Sequence, residues 1–134
     1  MTVSPHKENG SAILEALIAI TLFSIGVLAL VGLQSAMVKQ GSQAQFRAEA
    51  ISLADEINGL MWSDAAHLSS FRIADCSEKS TNKQAEKWRS EVLRRVPKGC
   101  GNVSVTGSDV TISISWQVGS EARNSHTFST SILR

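Results

Sequence analysis

GSAILEALIAITLFSIGVLALVGLQSAMV, residues 10–38, decides how the rest of the chain is organised. Glu15 is its only charged residue, and nothing ionisable occurs from Ala16 to Val38. At about 1.5 Å of rise per helical residue, that run is long enough to cross the ~30 Å hydrocarbon core of a bilayer. A helix that is apolar on every side has no solvent face to offer a small globular domain, and too little chain remains to wrap it. Membrane insertion is therefore favoured over a buried core helix.

The flanks sharpen this. Residues 1–10 are short and polar, with Pro5 among them, and read as a leader. An ordinary secretory signal is cut at a small residue that follows its apolar core. Here the small residue Gly10 precedes the apolar run, so a cut there leaves the hydrophobic segment on the mature chain. Beyond Val38, the residues Phe46, Ala50, Leu53, Ile57 and Leu60 recur at alternating steps of four and three, while Arg47, Glu49, Asp55 and Glu56 fall largely elsewhere. This pattern predicts one helix over about 11–62, interrupted at most locally by Gly26, Gly32 and Gly41: 11–38 apolar throughout, 39–62 amphipathic.

Residues 63–81 show no sustained period and read as an irregular connection. From Asn82 to Val96 the helical spacing returns through Ala85, Trp88, Val92 and Val96, and Pro97 and Gly99 stop it. Val110 to Val118 alternates apolar and polar without a break, placing Val110, Ile112, Ile114, Trp116 and Val118 on one face. Phe128, Thr130 and Ile132 repeat the pattern after a turn region at 119–125, and Val103 and Val105 begin it before Gly107. The expected class is α+β: a long N-terminal helix whose Phe46–Leu60 face covers an antiparallel meander of two or three strands, with one short helix in a head spanning 63–134.

Composition excludes much. The 134 residues allow one small domain plus an anchor, and 13 Lys and Arg against 12 Asp and Glu give a net charge of +1, no footprint for nucleic acid. Cys76 and Cys100 have no further Cys or His at zinc-ligand spacing. In an oxidising compartment they would form a disulfide worth about 3 kcal/mol; otherwise they are two buried thiols. His6, His67 and His126 are far apart, with no nucleophile, metal spacing or phosphate-binding loop near them, so an enzyme is disfavoured and no cofactor is expected. His67 and His126 read as surface or loop residues. Trp62, Trp88 and Trp116 read as core or interface rather than a ligand box.

Glu15 remains to be explained. A carboxylate in an apolar span costs about 2.5–3.5 kcal/mol on insertion scales. Either it lies at headgroup level at the end of a plain anchor, or it has a partner. If the chain is cut between Gly10 and Ser11, the new α-amine of Ser11 lies one helical turn away, and an ammonium there, in the same chain or a neighbour, would neutralise Glu15.

Gly10, then Ser11-Ala-Ile-Leu-Glu15, then an unbroken apolar helix resembles the class III signal of type IV prepilins. The resemblance implies that prepilin peptidase cuts between Gly10 and Ser11, that the Ser11 amine is N-methylated, and that Glu15 pairs with a subunit's N-terminal amine during assembly. The run from Ala19 to Gln34, Lys87-Trp88-Arg89 leading into Pro97-Lys-Gly-Cys-Gly101, and the Val110–Trp116 strand are similar to the type IV pilus modification protein PilV family of minor pilins. Membership implies a type IV pilin-like fold and an inner-membrane subunit with residues 1–10 in the cytoplasm and the head in the periplasm. It also implies assembly with other minor pilins and the major pilin, through the inner-membrane machinery, into a complex that primes the pilus and sits at its tip, serving pilus biogenesis, twitching motility and adhesion. The chain departs from the major pilins in having Ser11 where they usually have Phe, Gly32 where many have Pro, and Lys7 as the leader's only Lys or Arg. By charge alone, Lys7 against Lys39 and Arg47 does not favour a cytoplasmic N-terminus; the resemblance does. A minor pseudopilin of a type II secretion system would share the leader, Glu15 and the helix. A membrane-anchored enzyme or binding protein is the alternative of another class.

Overall fold

The computed structural model describes residues 9–133, with side chains from Ser11 onward. The leader expectations for residues 1–8, His6 and Lys7 included, lie outside the described residues. Two compact units divide at Gly41 and Ser42.

The first unit is helical throughout. It is the N-terminal part of helix α1, Asn9–Ser63, which runs without interruption through Gly26, Gly32 and Gly41. Every side chain from Ser11 to Gly41 is exposed, apolar ones such as Phe23 and Leu28 included. Three hydroxyls within the run are internally satisfied: Thr21, Ser24 and Ser35 donate to the carbonyls of Leu17, Ile20 and Val31 at 2.7, 2.7 and 3.1 Å. Such back-bonding leaves none of these three hydroxyl protons to desolvate, so they add little polarity to the run.

In the second unit the remainder of α1 buries Ala50, Leu53, Ala54, Ile57 and Met61. Phe46 and Leu60 pack at the margin of that core, and Trp62 is half exposed. Leu60 therefore borders the face that Met61, a better-centred residue, completes. Within 63–81, residues 65–71 are helical and Ile73 bridges Val103, while the rest is the irregular connection expected. Ala65–Phe71 form 3-10 turns on either side of a kink at His67, and bury Leu68 and Phe71. Three residues per turn aligns side chains three apart, a repeat that a search at 3.6 passes over.

Helix α2, Lys83–Arg95, starts where Asn82 caps it: the Asn82 side-chain oxygen accepts from the backbone N–H groups of Gln84 and Ala85 at 2.9 and 3.2 Å. Its buried residues are Ala85, Trp88 and Val92. Arg94 and Arg95 lie in its last turn, complementing the dipole. Arg95 also reaches α1, donating to Glu49 through Nε at 2.9 Å, with Glu56 3.6 Å away.

Three strands follow: β1 Cys100–Thr106, β2 Asp109–Trp116 and β3 Asn124–Ser131, antiparallel in the order β1-β2-β3. The register places Val103 opposite Ile112, which in turn faces Phe128, so the alternating apolar residues share one side. Gly107, at φ 64°, makes the tight β1–β2 turn. The second strand is shorter than its alternation: it ends at Trp116, because the Gln117 N–H bonds the Pro97 carbonyl instead of a ladder partner, and Val118 packs at the core margin from outside the sheet. The inward residues of the sheet, α1 and α2 form a single core, giving the α+β, pilin-like arrangement.

One ion pair fixes α2 against the segment before it. Arg89 binds Glu86 through two N–H groups at 3.0 and 2.7 Å, and the Ser80 N–H adds a third bond at 3.0 Å. Arg89 first, then Ser80, hold the Glu86 carboxyl at about 2, below its ordinary 4.5. Because the folded chain favours the ionised form, this stabilisation is present above the ordinary value and is lost as pH falls from 4.5 to about 2. Thermal unfolding across that range is expected to show an acid-labile component that Glu86→Gln removes. An unchanged acid limb in the variant would contradict it.

Candidate functional site

The sequence singled out Gly10, Ser11, Glu15 and the cysteine pair. Gly10 and Ser11 both lie in the first turns of α1, with the Gly10 backbone helical and the Ser11 side chain exposed. Ser11, Leu14, Glu15, Ile18, Ala19 and Leu22 line one shallow groove along the helix, so Ser11 and Glu15 share a face. That follows from their separation of four residues. Glu15 is exposed and has no hydrogen bond or ion pair among the described residues.

The chemistry of this face is narrow. In the uncut chain the Ser11 nitrogen is an amide and carries no charge. If released, it would be an ammonium within a helical turn of a carboxylate on an otherwise apolar surface, and the two charges would attract. Such a face can pair charges and bury alkyl surface. Among the described residues, no three His, Cys, Asp or Glu side chains come together as a metal site would need. His67 sits in the 3-10 segment, exposed, with Nδ1 2.7 Å from an Asp64 carboxylate oxygen. His126 is not in a loop: it lies on β3, opposite Ile114, half-buried by the parity that turns Phe128 and Thr130 inward.

Cys76 and Cys100 are joined in a disulfide, with Cα atoms 5.1 Å apart and a sequence separation of 24. It ties the segment after the 3-10 helix to the first residue of β1. Beside it, Arg89 donates to the Cys76 carbonyl at 3.1 Å, so one arginine braces both the linkage and Glu86. Cys76→Ser with Cys100→Ser is expected to lower head stability by about 3 kcal/mol, read from urea unfolding of the full chain in detergent micelles. A loss below about 0.5 kcal/mol would mean that the bridge constrains little.

Sequence reasoning missed Gln43 and Arg47 as site residues. Nothing in their spacing marks them, because Gln43 bonds Trp116 and Asn124, 73 and 81 positions away, and Arg47 lines the same cleft.

A scan against protein-family models and searches of curated proteins and of solved structures found no match. Among the described residues, α1 is the one helix long and apolar enough to cross a membrane.

Proposed function

We propose that the chain is a minor pilin of the type IV pilus, held in the inner membrane by residues 11–38 with the head in the periplasm until it is assembled. The observation that carries this reading is the face around Glu15: a single carboxylate, without a partner among the described residues, on a helix exposed along the whole of 11–41. A plain anchor needs no such charge, and insertion scales put its cost at about 2.5–3.5 kcal/mol. An assembling subunit does need it. Prepilin peptidase cuts between Gly10 and Ser11, the released Ser11 amine becomes a cation, and Glu15 pairs with a neighbouring subunit's amine to set register.

The apolar surface serves both stages. In lipid, helix association has little hydrophobic drive, since acyl chains are as apolar as Leu and Ile, so the stored subunit stays dispersed. Extracted into a fibre, the same side chains would be exposed to water unless they pack on other subunits, and the helix becomes the fibre's interior. Other minor pilins and the major pilin are the partners of this surface, and the head remains outside it at the tip.

Glu15→Ala is expected to insert in the membrane as well as the unaltered chain yet to be missing from sheared surface fibres, measured by immunoblot of the membrane and fibre fractions. Normal recovery of the variant in fibres would remove the charge-pairing role.

A further inference from the structure

A cleft of about 340 Å³ in the head is lined by Gln43, Ala44 and Arg47 of α1, Trp116 at the end of β2, and Asn124 and Ser125 at the start of β3. Gln43 shapes it. Its side-chain carbonyl accepts from the Trp116 indole N–H at 3.4 Å and from the Asn124 amide at 3.1 Å, and its own amide donates to Glu121 at 2.9 Å. These bonds satisfy the floor of the cleft and leave a cation on its wall. Arg89, Arg94 and Arg95 are paired with Glu86, Glu91 and Glu49, and Arg123 donates to Ser115. Arg47 has no hydrogen bond or ion pair among the described residues.

The cleft lies at the beginning of β3, and β3 is a sheet edge. Its backbone bonds run to β2, and no backbone bond leaves its other side among the described residues. Edges of this length are normally blunted by Lys, Pro, a bulge or an inward charge. Asn-Ser-His-Thr-Phe-Ser-Thr-Ser has no Lys, Pro or acidic residue, and its pairing with β2 is regular over all eight positions. The core side is also incompletely covered there: Asn124, His126, Phe128 and Thr130 are only half-buried, whereas Val110, Ile112, Ile114 and Trp116 of β2 are buried. On α1, Ile51, one turn beyond Arg47 on the same flank, is 42% exposed.

We infer that the β3 edge and the Arg47 cleft form one docking site for an extended segment of a partner polypeptide, paired antiparallel with β3 and carrying an Asp or Glu near its C-terminal end. Backbone pairing supplies the general affinity, and the guanidinium selects the acid, since a planar fork matches a carboxylate in two bonds. Antiparallel pairing sets the polarity, because the partner's C-terminal end then lies beside Asn124 and the cleft. The site is independent of Glu15 and of the leader, so its failure and the failure of the fibre reading are separable.

The test uses the full-length chain, isotope-labelled, in detergent micelles, titrated with the acetylated peptide amide TVTVTDG and with TVTVTNG. The aspartate peptide is expected to slow hydrogen exchange at alternate β3 amides, to shift the Arg47 side-chain N–H signal, and to bind at least about tenfold more tightly than the asparagine peptide. Arg47→Ala, at an exposed position that leaves the core intact, is expected to abolish that preference while keeping the β3 protection. Equal binding of the two peptides, or no protection of β3 by either, overturns the inference. A response to glucuronate without a response to the peptides overturns it as well, by making the cleft a site for acidic sugars.

Discussion

Trp88→Ala is expected to destabilise the head by about 3–5 kcal/mol, the largest loss of any single truncation in it. Trp88 is the bulkiest of the fully buried side chains, and its indole N–H donates to the Leu53 carbonyl of α1 at 2.7 Å. It therefore joins α2 to α1 by both packing and a polar bond. The sheet is fitted to the same ring. A Cβ added at Gly101 on β1 would lie 2.6 Å from the Trp88 ring, closer than carbon atoms can approach. Removing the ring leaves a cavity bordered by three elements, with no local route to collapse. Since small domains are stable by only about 5–15 kcal/mol, the variant should lose much of its margin. Urea unfolding of the full chain in micelles, followed by fluorescence of the remaining tryptophans, measures this. A loss below about 1 kcal/mol would show that Trp88 does not hold the head together. Gly101→Ala is expected to destabilise in the same assay, because the ring has to shift to admit the methyl group.

Gly10→Val is expected to abolish maturation altogether. The reading of the first unit requires a free amine at Ser11, and an intact Gly10–Ser11 peptide bond supplies only an uncharged amide. A branched side chain replacing the Gly at the cut should block the peptidase, so the variant keeps residues 1–10, remains in the membrane and is missing from fibres. Its mass should be that of the full-length chain in every fraction. Appearance of the normal mature form would overturn the leader assignment, whatever Glu15 does.

Much of the fold was legible because each element repeats a period in residues close along the chain. The steps of four and three from Phe46 to Leu60 located the helix face, and the alternation from Val110 located the central strand. Asn82 and Pro97 bracketed α2. The errors have physical causes. Leu68 and Phe71 follow the three-residue repeat of a 3-10 turn, which looks irregular at 3.6. Val118 continues the strand's alternation after the ladder has ended, because Pro97, far away in sequence, captures the next N–H. His126 gives no apolar signal, yet strand parity turns it inward beside Phe128. The Glu15 face was legible as one charge in an apolar run. The Gln43 and Arg47 cleft was not, because it exists only once α1, β2 and β3 have come together.

The most direct test of the central claim, that residues 11–38 are a processed assembly helix rather than a plain anchor, is the intact mass of the unaltered chain isolated from cells that carry a prepilin peptidase. The expected mass is that of residues 11–134 with the disulfide closed, with or without one added methyl group on Ser11. A chain that still begins at Met1 in both membrane and fibre fractions would contradict it.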